Sequence, residues 1–290
     1  MRVLLVYNPI SGRGTSCKLA GEYAELFLKL PCDVQLIQTE PTSPEQWLRP
    51  TLEFNPDSVI VIGGDGTLRQ VASVLTNTKI PLFHIACGTE NLFAKSMGMM
   101  ISPESVIATI KQGKTKTIDT AHVNGAFMIL MASVGFDANV VADLAKHRGS
   151  SITPLSYVAP ILRQLLNWKP PTVSVTVDNK EIVKHQMGWA IVANSKAYAR
   201  GLNPARNADI ADGKLDVMFL PLKGRLSLWK WIRYMKRGIH LHHPDVVYIR
   251  GEDVEVKTTE PSPWQIDGDP SGIESKVNVV CNPNSLCILE

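Results

Sequence analysis

Cysteine is scarce and unpatterned: Cys17, Cys32, Cys87, Cys281 and Cys287 are odd in number, and no two stand as Cys-x-x-Cys. Neither a disulfide framework nor a zinc site is suggested. Long apolar runs are missing too, since the longest, Phe127 to Phe136, has ten residues and is broken by Ser133 and Gly135. That falls short of the ~20 apolar residues a membrane-spanning helix needs. A strong charge imbalance is also absent, and a formal net charge of +3 does not argue for nucleic acid as a partner. Internal repeats and low-complexity segments are absent. Arg2 is followed at once by strand-like residues 3–7 and then Asn8-Pro9, so no targeting signal is read and a reducing cytoplasm is expected. A Walker A loop is lacking as well: Gly113-Lys114-Thr115 resembles its end, but Ala108 replaces the first glycine and the run closes a helix instead of opening one. What remains is 290 residues, 44% hydrophobic and 20% charged, a length suited to about two soluble domains.

The most informative run is Ser58 to Thr67, in which an apolar strand ends in Gly63, Gly64, Asp65, Gly66 and Thr67. Glycine permits φ > 0 and a close approach of backbone N–H groups to a ligand, and successive N–H groups form an anion-binding nest. Thr67 is expected to cap a helix whose N-terminus also favours an anion. A carboxylate beside phosphates is repelled without a cation, so Asp65 points to a divalent metal. The competing reading is a tight turn with Asp65 on the surface.

The first 120 residues alternate strand and helix signals: strands near 2–7, 33–38, 58–62 and 81–85, helices near 17–30, 44–54, 67–76, 89–96 and 103–112. Such alternation implies a parallel sheet covered on both faces, with ligands beyond the C-terminal strand ends. Turns 8–12, 63–67 and 87–91 fall at such ends. After about residue 118 the period approaches two, with Val173, Val175 and Val177 alternating with polar residues. An antiparallel sandwich is expected there, with helices near 136–147 and 154–167; one large mixed sheet is the alternative.

Six runs taken together carry a resemblance: Asn8-Pro9-Ile10-Ser11-Gly12, Gly63-Gly64-Asp65-Gly66-Thr67, Gly88-Thr89-Glu90-Asn91, Gly135-Phe136-Asp137-Ala138, Asp212-Gly213-Lys214-Leu215-Asp216 and Asp267-Gly268-Asp269. In this order they resemble the diacylglycerol kinase family, specifically its soluble bacterial members related to sphingosine kinases. The glycine run alone is shared with NAD kinases and phosphofructokinases. The resemblance implies an α/β nucleotide-binding domain over 1–122 with a parallel sheet, an antiparallel β-sandwich lipid-substrate domain over 123–281, a cleft between them, and a C-terminal segment, 282–290, that returns to the first domain.

Carried over residue by residue, it implies ATP phosphates surrounded by Asn8, Pro9, Ile10, Ser11, Gly12, Gly63, Gly64, Asp65, Gly66, Thr67, Leu68 and Arg69, with Thr39, Thr89 and Asn91 also near nucleotide. Taken alone, Thr39 reads more readily as part of an ordinary Thr-Glu-Pro-Thr loop. A structural Mg²⁺ would be held by the Asp212 carboxylate and the carbonyls of Asp209 and Lys214, although Asp-Gly is also a common hairpin turn. Asp269, where the family usually has Glu, would accept the proton of a lipid hydroxyl with Asp267 in support; which of the two accepts it stays open. Leu92 departs from the family, which often carries Asp there. Asp119 and Asp137 fall where the family tends to carry Asp.

Residues 223–243 hold six Lys and Arg, no Asp or Glu, and Trp229, Trp231 and Tyr234. Such a helix either lies on an anionic membrane surface or packs on the sandwich with a solvated basic face. The expected function is ATP- and Mg²⁺-dependent phosphorylation of a neutral lipid, diacylglycerol first. Peripheral contact with the inner membrane face and a homodimer are compatible with it. The alternatives are an NAD kinase-like enzyme and a nucleotide- or lipid-binding protein without catalysis.

Overall fold

The structure is a computed structural model that describes residues 1–100, 102–146, 154–198 and 201–290. The chain divides into two compact units, one of Met1–Ile118 with Asn284–Glu290 and one of Asp119–Pro283.

In the first unit β1 (Arg2–Tyr7), α1 (Thr15–Leu28), β2 (Asp33–Gln38), α2 (Pro44–Trp47), β3 (Ser58–Gly63), α3 (Asp65–Leu75), β4 (Leu82–Ala86), α4 (Leu92–Ser96) and α5 (Pro103–Gln112) follow one another, before β5 (Thr115–Val123) leads out. The strands lie side by side in the order β4-β3-β1-β2, every pair parallel. All six residues of β3 are buried, as a parallel strand with both faces covered must be, and that is why the run reads as continuously apolar. The helix expected near 44–54 is instead one α-turn and a 3-10 segment, Arg49–Phe54, with Pro50 near the start of the second piece. The expected helix near 89–96 begins only at Leu92, because Asn91 takes a left-handed conformation with φ 54°.

The chain end returns to this unit. Ile288 pairs in parallel with Leu82, and the Asn77 N–H donates to the Ser285 carbonyl at 2.6 Å. Lys114 and Lys116 ion-pair with Glu290 at 2.7 and 3.3 Å. Their hydrogen bonds hold the Glu290 carboxyl below the usual carboxylate range.

The second unit contains β6 (Ala126–Met128), β7 (Met131–Val134), α6 (Phe136–Lys146), α7 (Val158–Asn167), β8 (Thr172–Val177), β9 (Lys180–Ala193), β10 (Leu215–Pro221), α8 (Arg225–Arg237), β11 (Val247–Gly251), β12 (Asp253–Ile266) and most of β13 (Asp269–Leu289). His147, at the end of the helix expected near 136–147, lies outside the described residues. The pairings described within it are antiparallel: β10 runs between β9 and β11, and both β9 and β12 pair with β7 and with β8. Because the long strands β9 and β12 are shared, the two layers of the sandwich are joined by hydrogen bonds.

Alternation on β10 shows how the faces are used. Val217 and Phe219 enter a core with Val175, Val192, Val256 and Trp264. Met218 and Leu220 enter another with Trp189, Ile191, Leu228 and Trp231, where α8 and its neighbours cover the sheet. No helix among the described residues is long and apolar enough to cross a membrane.

Candidate active site

The glycine run does not use the left-handed freedom expected of it. Gly63, Gly64 and Gly66 are not among the residues with positive φ, and Gly64 is extended at φ −93°, ψ −178°. Space is the reason for glycine here. A Cβ on Gly63 would stand 2.7 Å from the Thr67 Cβ, and one on Gly88 would stand 2.6 Å from the Gly64 Cα and 2.9 Å from the Asn91 Oδ1. The turns after β3 and β4 therefore touch backbone to backbone. The turn after β1 joins them: Gly12 has φ +59°, a Cβ there would meet the Cys87 carbonyl at 2.5 Å, and the Asn8 Nδ2 donates to the Thr67 Oγ1 at 3.1 Å. Gly12, Arg13 and Gly14 are left-handed in succession and lead into the N-terminus of α1.

Helix α3 begins at Asp65 with Gly64 as its cap residue, so Thr67 does not cap it as expected. Thr67 is buried, its hydroxyl engaged by Asn8. The first N–H groups of a helix have no partner within it, and at α3 they open at the junction of the three turns. Leu68 is a correction to the expected phosphate shell. Its N–H donates to the Gly64 carbonyl at 3.0 Å and its side chain is buried, so it presents nothing to a ligand. Ile10 is exposed, with its N–H on the Asn8 Oδ1. Thr39 follows β2, its N–H bonded to the Tyr7 carbonyl, which puts it at the same sheet edge; Thr89 is exposed. Asn91 folds its own turn, accepting the Gly88 N–H at 2.8 Å and donating to the Gly88 carbonyl at 3.0 Å.

Asp65 has a role that its position in a glycine run does not disclose. Its Oδ2 accepts the Leu92 N–H at 3.0 Å and its Oδ1 the Phe93 N–H at 3.1 Å. The carboxylate thus supplies the cap that α4 lacks from Asn91 and ties the β3 turn to the β4 turn. Beneath it His84 is buried with its Nε2 3.0 Å from the Gly63 carbonyl; burial pushes its pKa down, against the Asp65 charge. A neutral His84 donating from Nε2 suits that carbonyl. Asp65→Asn would set an amide NH₂ against one of the two N–H groups. Unfolding in urea with EDTA present is expected to show a loss of about 1–3 kcal/mol. Unchanged stability would mean that the cap contributes nothing.

In the second unit Asp267 and Gly268, at φ +51° and +87°, form the two-residue turn between β12 and β13. The Asp267 carboxylate accepts three backbone N–H groups, from Ile129 at 2.9 Å, Leu130 at 2.7 Å and Met131 at 2.9 Å. Its N–H donates to the Met131 carbonyl at 2.9 Å. Expected among the proton acceptors, Asp267 is a pin whose acceptor capacity is largely taken up. Asp269, half-buried, opens β13 directly after the turn.

The Asp209–Lys214 loop is held by its own carboxylates. Asp209 accepts the Ala211 N–H at 3.1 Å, Asp212 the Lys214 N–H at 3.0 Å, and Asp212 is also ion-paired with Arg250. The Asp119 Oδ2 takes the Gly213 N–H at 2.6 Å, a tie to this loop that the sequence does not announce. No cluster of three or more His, Cys, Asp or Glu able to hold a metal occurs among the described residues. The donor chemistry still fits Mg²⁺: each Asp212 oxygen has one partner and can accept another, and the loop supplies carbonyls. Arg250 is then a competing cation for the same carboxylate.

Helix α8 settles onto the sheet. Leu228, Trp231 and Met235 are buried, and the Trp231 Nε1 donates to the Pro221 carbonyl at 2.7 Å. Lys230 lies 4.4 Å over the Trp231 ring. Only Trp229, 56% exposed, turns an aromatic ring of this helix outward among the described residues.

Two family models match the chain: "Diacylglycerol kinase catalytic domain" over residues 2–123 and "YegS C-terminal NAD kinase beta sandwich-like domain" over residues 131–290. A diacylglycerol kinase of Mycobacterium tuberculosis is 28% identical over 263 residues, covering 88% of this chain and 85% of that protein. One of Bacillus subtilis is 25% identical over 284 residues, covering 94% and 91%. The crystal structure of a diacylglycerol kinase from Bacillus anthracis shares the fold, with a TM-score of 0.71 at 18% identity over 99% of this chain and 96% of the other.

Proposed function

The chain belongs to the diacylglycerol kinase family, and from that premise we propose that it transfers the γ-phosphoryl group of ATP to the hydroxyl of a neutral lipid, diacylglycerol first, giving phosphatidic acid. One observation carries the donor half of this reading. Three strand-end turns of the first unit are packed backbone to backbone around the N-terminus of α3, an arrangement that offers N–H groups to phosphate oxygens.

On this reading Asn8 to Gly12, Gly63 to Thr67 and Arg69 surround the triphosphate, and Thr39, Thr89 and Asn91 stand by the rest of the nucleotide. Asp65 acts first by locking two of the turns together; its remaining lone pairs face whatever cation accompanies the phosphates. Asp269 accepts the proton of the lipid hydroxyl while the oxygen bonds to the γ-phosphorus and the bond to the departing ADP breaks. Asp267, holding three N–H groups, fixes the turn that carries Asp269 and does not take the proton. Magnesium bound by Asp212 with the carbonyls of Asp209 and Lys214 would supply positive charge that holds the loop.

A second reading, NAD phosphorylation, draws on the match of residues 131–290 to a sandwich of NAD kinase type. Purified protein incubated with γ-labelled ATP, Mg²⁺ and, in separate tubes, diacylglycerol, sphingosine, ceramide or NAD distinguishes them. Label is expected in the diacylglycerol product. Label in NAD alone would replace the proposal, and label in no acceptor would leave a binding protein.

A further inference from the structure

Gln265 enters no motif, yet it is 2% exposed on β12, two residues before the Asp267–Gly268 turn. Its side chain is bonded at both ends. The Oε1 accepts the Gly268 N–H at 2.8 Å, and the Nε2 donates to the Ser133 Oγ at 2.8 Å and lies 3.4 Å from the Asp137 Oδ2. Ser133, directly opposite Gln265 on β7 and fully buried, passes its own hydroxyl hydrogen to the Asp137 Oδ2 at 2.6 Å. The Tyr198 hydroxyl donates to the same oxygen at 2.9 Å, and the Asp137 Oδ1 accepts the Ala138 N–H at 2.8 Å.

The donors all point one way. Gly268 gives to Gln265, Gln265 to Ser133, and Ser133 and Tyr198 to Asp137, which as a carboxylate can only accept. Because each member has one arrangement that satisfies its neighbours, the amide of Gln265 is fixed end for end. Reversing it would set an NH₂ group against the Gly268 N–H and a carbonyl against a hydroxyl that must donate elsewhere.

We propose that Gln265, Ser133, Asp137 and Tyr198 are positioning residues, a buried hydrogen-bond chain from the first turn of α6 that fixes the Gly268 N–H and with it the direction in which Asp269 leaves the turn. Asp267 pins one side of the turn through Ile129, Leu130 and Met131, and this chain pins the other. The inference rests on the assignment of Asp269 as proton acceptor, but its structural half can be read without turnover. Burial pushes the Asp137 carboxyl upward while its donors oppose the shift, as expected of an acceptor that draws a chain of donors to itself.

The test uses Gln265→Met, which keeps length and removes both bonds, and Gln265→Glu. A protonated Glu offers one acceptor and one donor as the amide does, whereas an ionised Glu cannot donate to Ser133 and faces Asp137. The groups around position 265 are Ser133 of β7, Asp137 of α6, Tyr198 behind it, and Asp267 and Asp269 of the turn. For Gln265→Met, kcat is expected to fall about 100-fold, the scale of a misplacement near 1 Å, with KM for ATP and lipid within about twofold. For Gln265→Glu, kcat relative to the unaltered protein should rise as pH falls. In protein labelled with ¹⁵N-glycine, the Gly268 amide should exchange slowly in the unaltered chain and at least about tenfold faster in Gln265→Met, if the bond is worth ~1.4 kcal/mol.

Protected Gly268 in the unaltered chain with equal exchange in Gln265→Met would overturn the chain of bonds. Faster exchange with unchanged kcat would overturn its catalytic part. Failure of lipid phosphorylation by the unaltered protein sinks the proposed function instead, and the exchange result then decides the structural part alone.

Discussion

Asp269→Asn is expected to lower kcat for lipid phosphorylation by about 10²–10⁴-fold, the usual contribution of a positioned general base, with ATP affinity within about twofold. An amide keeps the shape of the side chain and its place at the start of β13 but has no affinity for the hydroxyl proton. Asp267 is expected to substitute poorly, because its two oxygens already accept the N–H groups of Ile129, Leu130 and Met131, leaving little acceptor capacity for a further proton donor. Asp269→Glu is expected to retain more activity than Asp269→Asn, since it restores a carboxylate one methylene further out. Initial rates against lipid at saturating ATP, beside an equilibrium measurement of ATP binding, check both. Loss of ATP binding together with the rate would mean that Asn disturbs the fold and not the chemistry.

The second large effect belongs to the close approach of the turns. Gly88→Ala puts a methyl 2.6 Å from the Gly64 Cα and 2.9 Å from the Asn91 Oδ1. Backbone on one side cannot yield as a flexible side chain would, so the turns must separate. That strains the Asn91 bonds to Gly88 and the Asp65 cap on α4. A loss of about 1–3 kcal/mol in stability is expected from such overpacking, with ATP binding at least about tenfold weaker, or ~1.4 kcal/mol. Gly21→Ala is the matched comparison, because a Cβ on this α1 residue meets nothing within 4 Å and its φ is not positive. It should gain roughly 0.5–1 kcal/mol from better helix propensity. Urea unfolding of the two variants, with ATP titrations, reads the contrast; equal behaviour would remove the argument from close packing.

What the residues reveal unaided divides along range. Strand β3 and the centre of β1, Val3 to Val6, are apolar because parallel strands covered on both faces bury them, and Val173, Val175 and Val177 alternate because β8 buries one face. These are local signals. The glycine run is legible as a turn built for close approach, but the partner of that approach is Gly88 in a different turn, so the run by itself points to dihedral freedom where a steric reason applies. Asp65 points to a cation from the sequence alone, and its additional role as acceptor of the Leu92 and Phe93 N–H groups is hidden because these donors are distant in sequence. Asp267 and Asp269 were indistinguishable as neighbours in a motif, and they separate only once the three N–H groups from residues 129–131 reach one of them. Gln265 gave no sign at all, since a single buried glutamine becomes meaningful only opposite Ser133. Helix α8 is legible as basic and aromatic, but which face meets the sheet is decided by the apolar cluster that Leu228, Trp231 and Met235 join.

The proposed reaction divides between phosphates held by the turns of the first unit and a hydroxyl proton taken by Asp269 of the second. It is tested most directly by transfer of the γ-phosphoryl group from labelled ATP to diacylglycerol, run side by side with unaltered protein and Asp269→Asn and paired with ATP affinity. Labelled phosphatidic acid is expected from the unaltered protein, about 100-fold less or lower still from Asp269→Asn, and the same ATP affinity for both. Equal product from the two proteins, or none from the unaltered one, would contradict it.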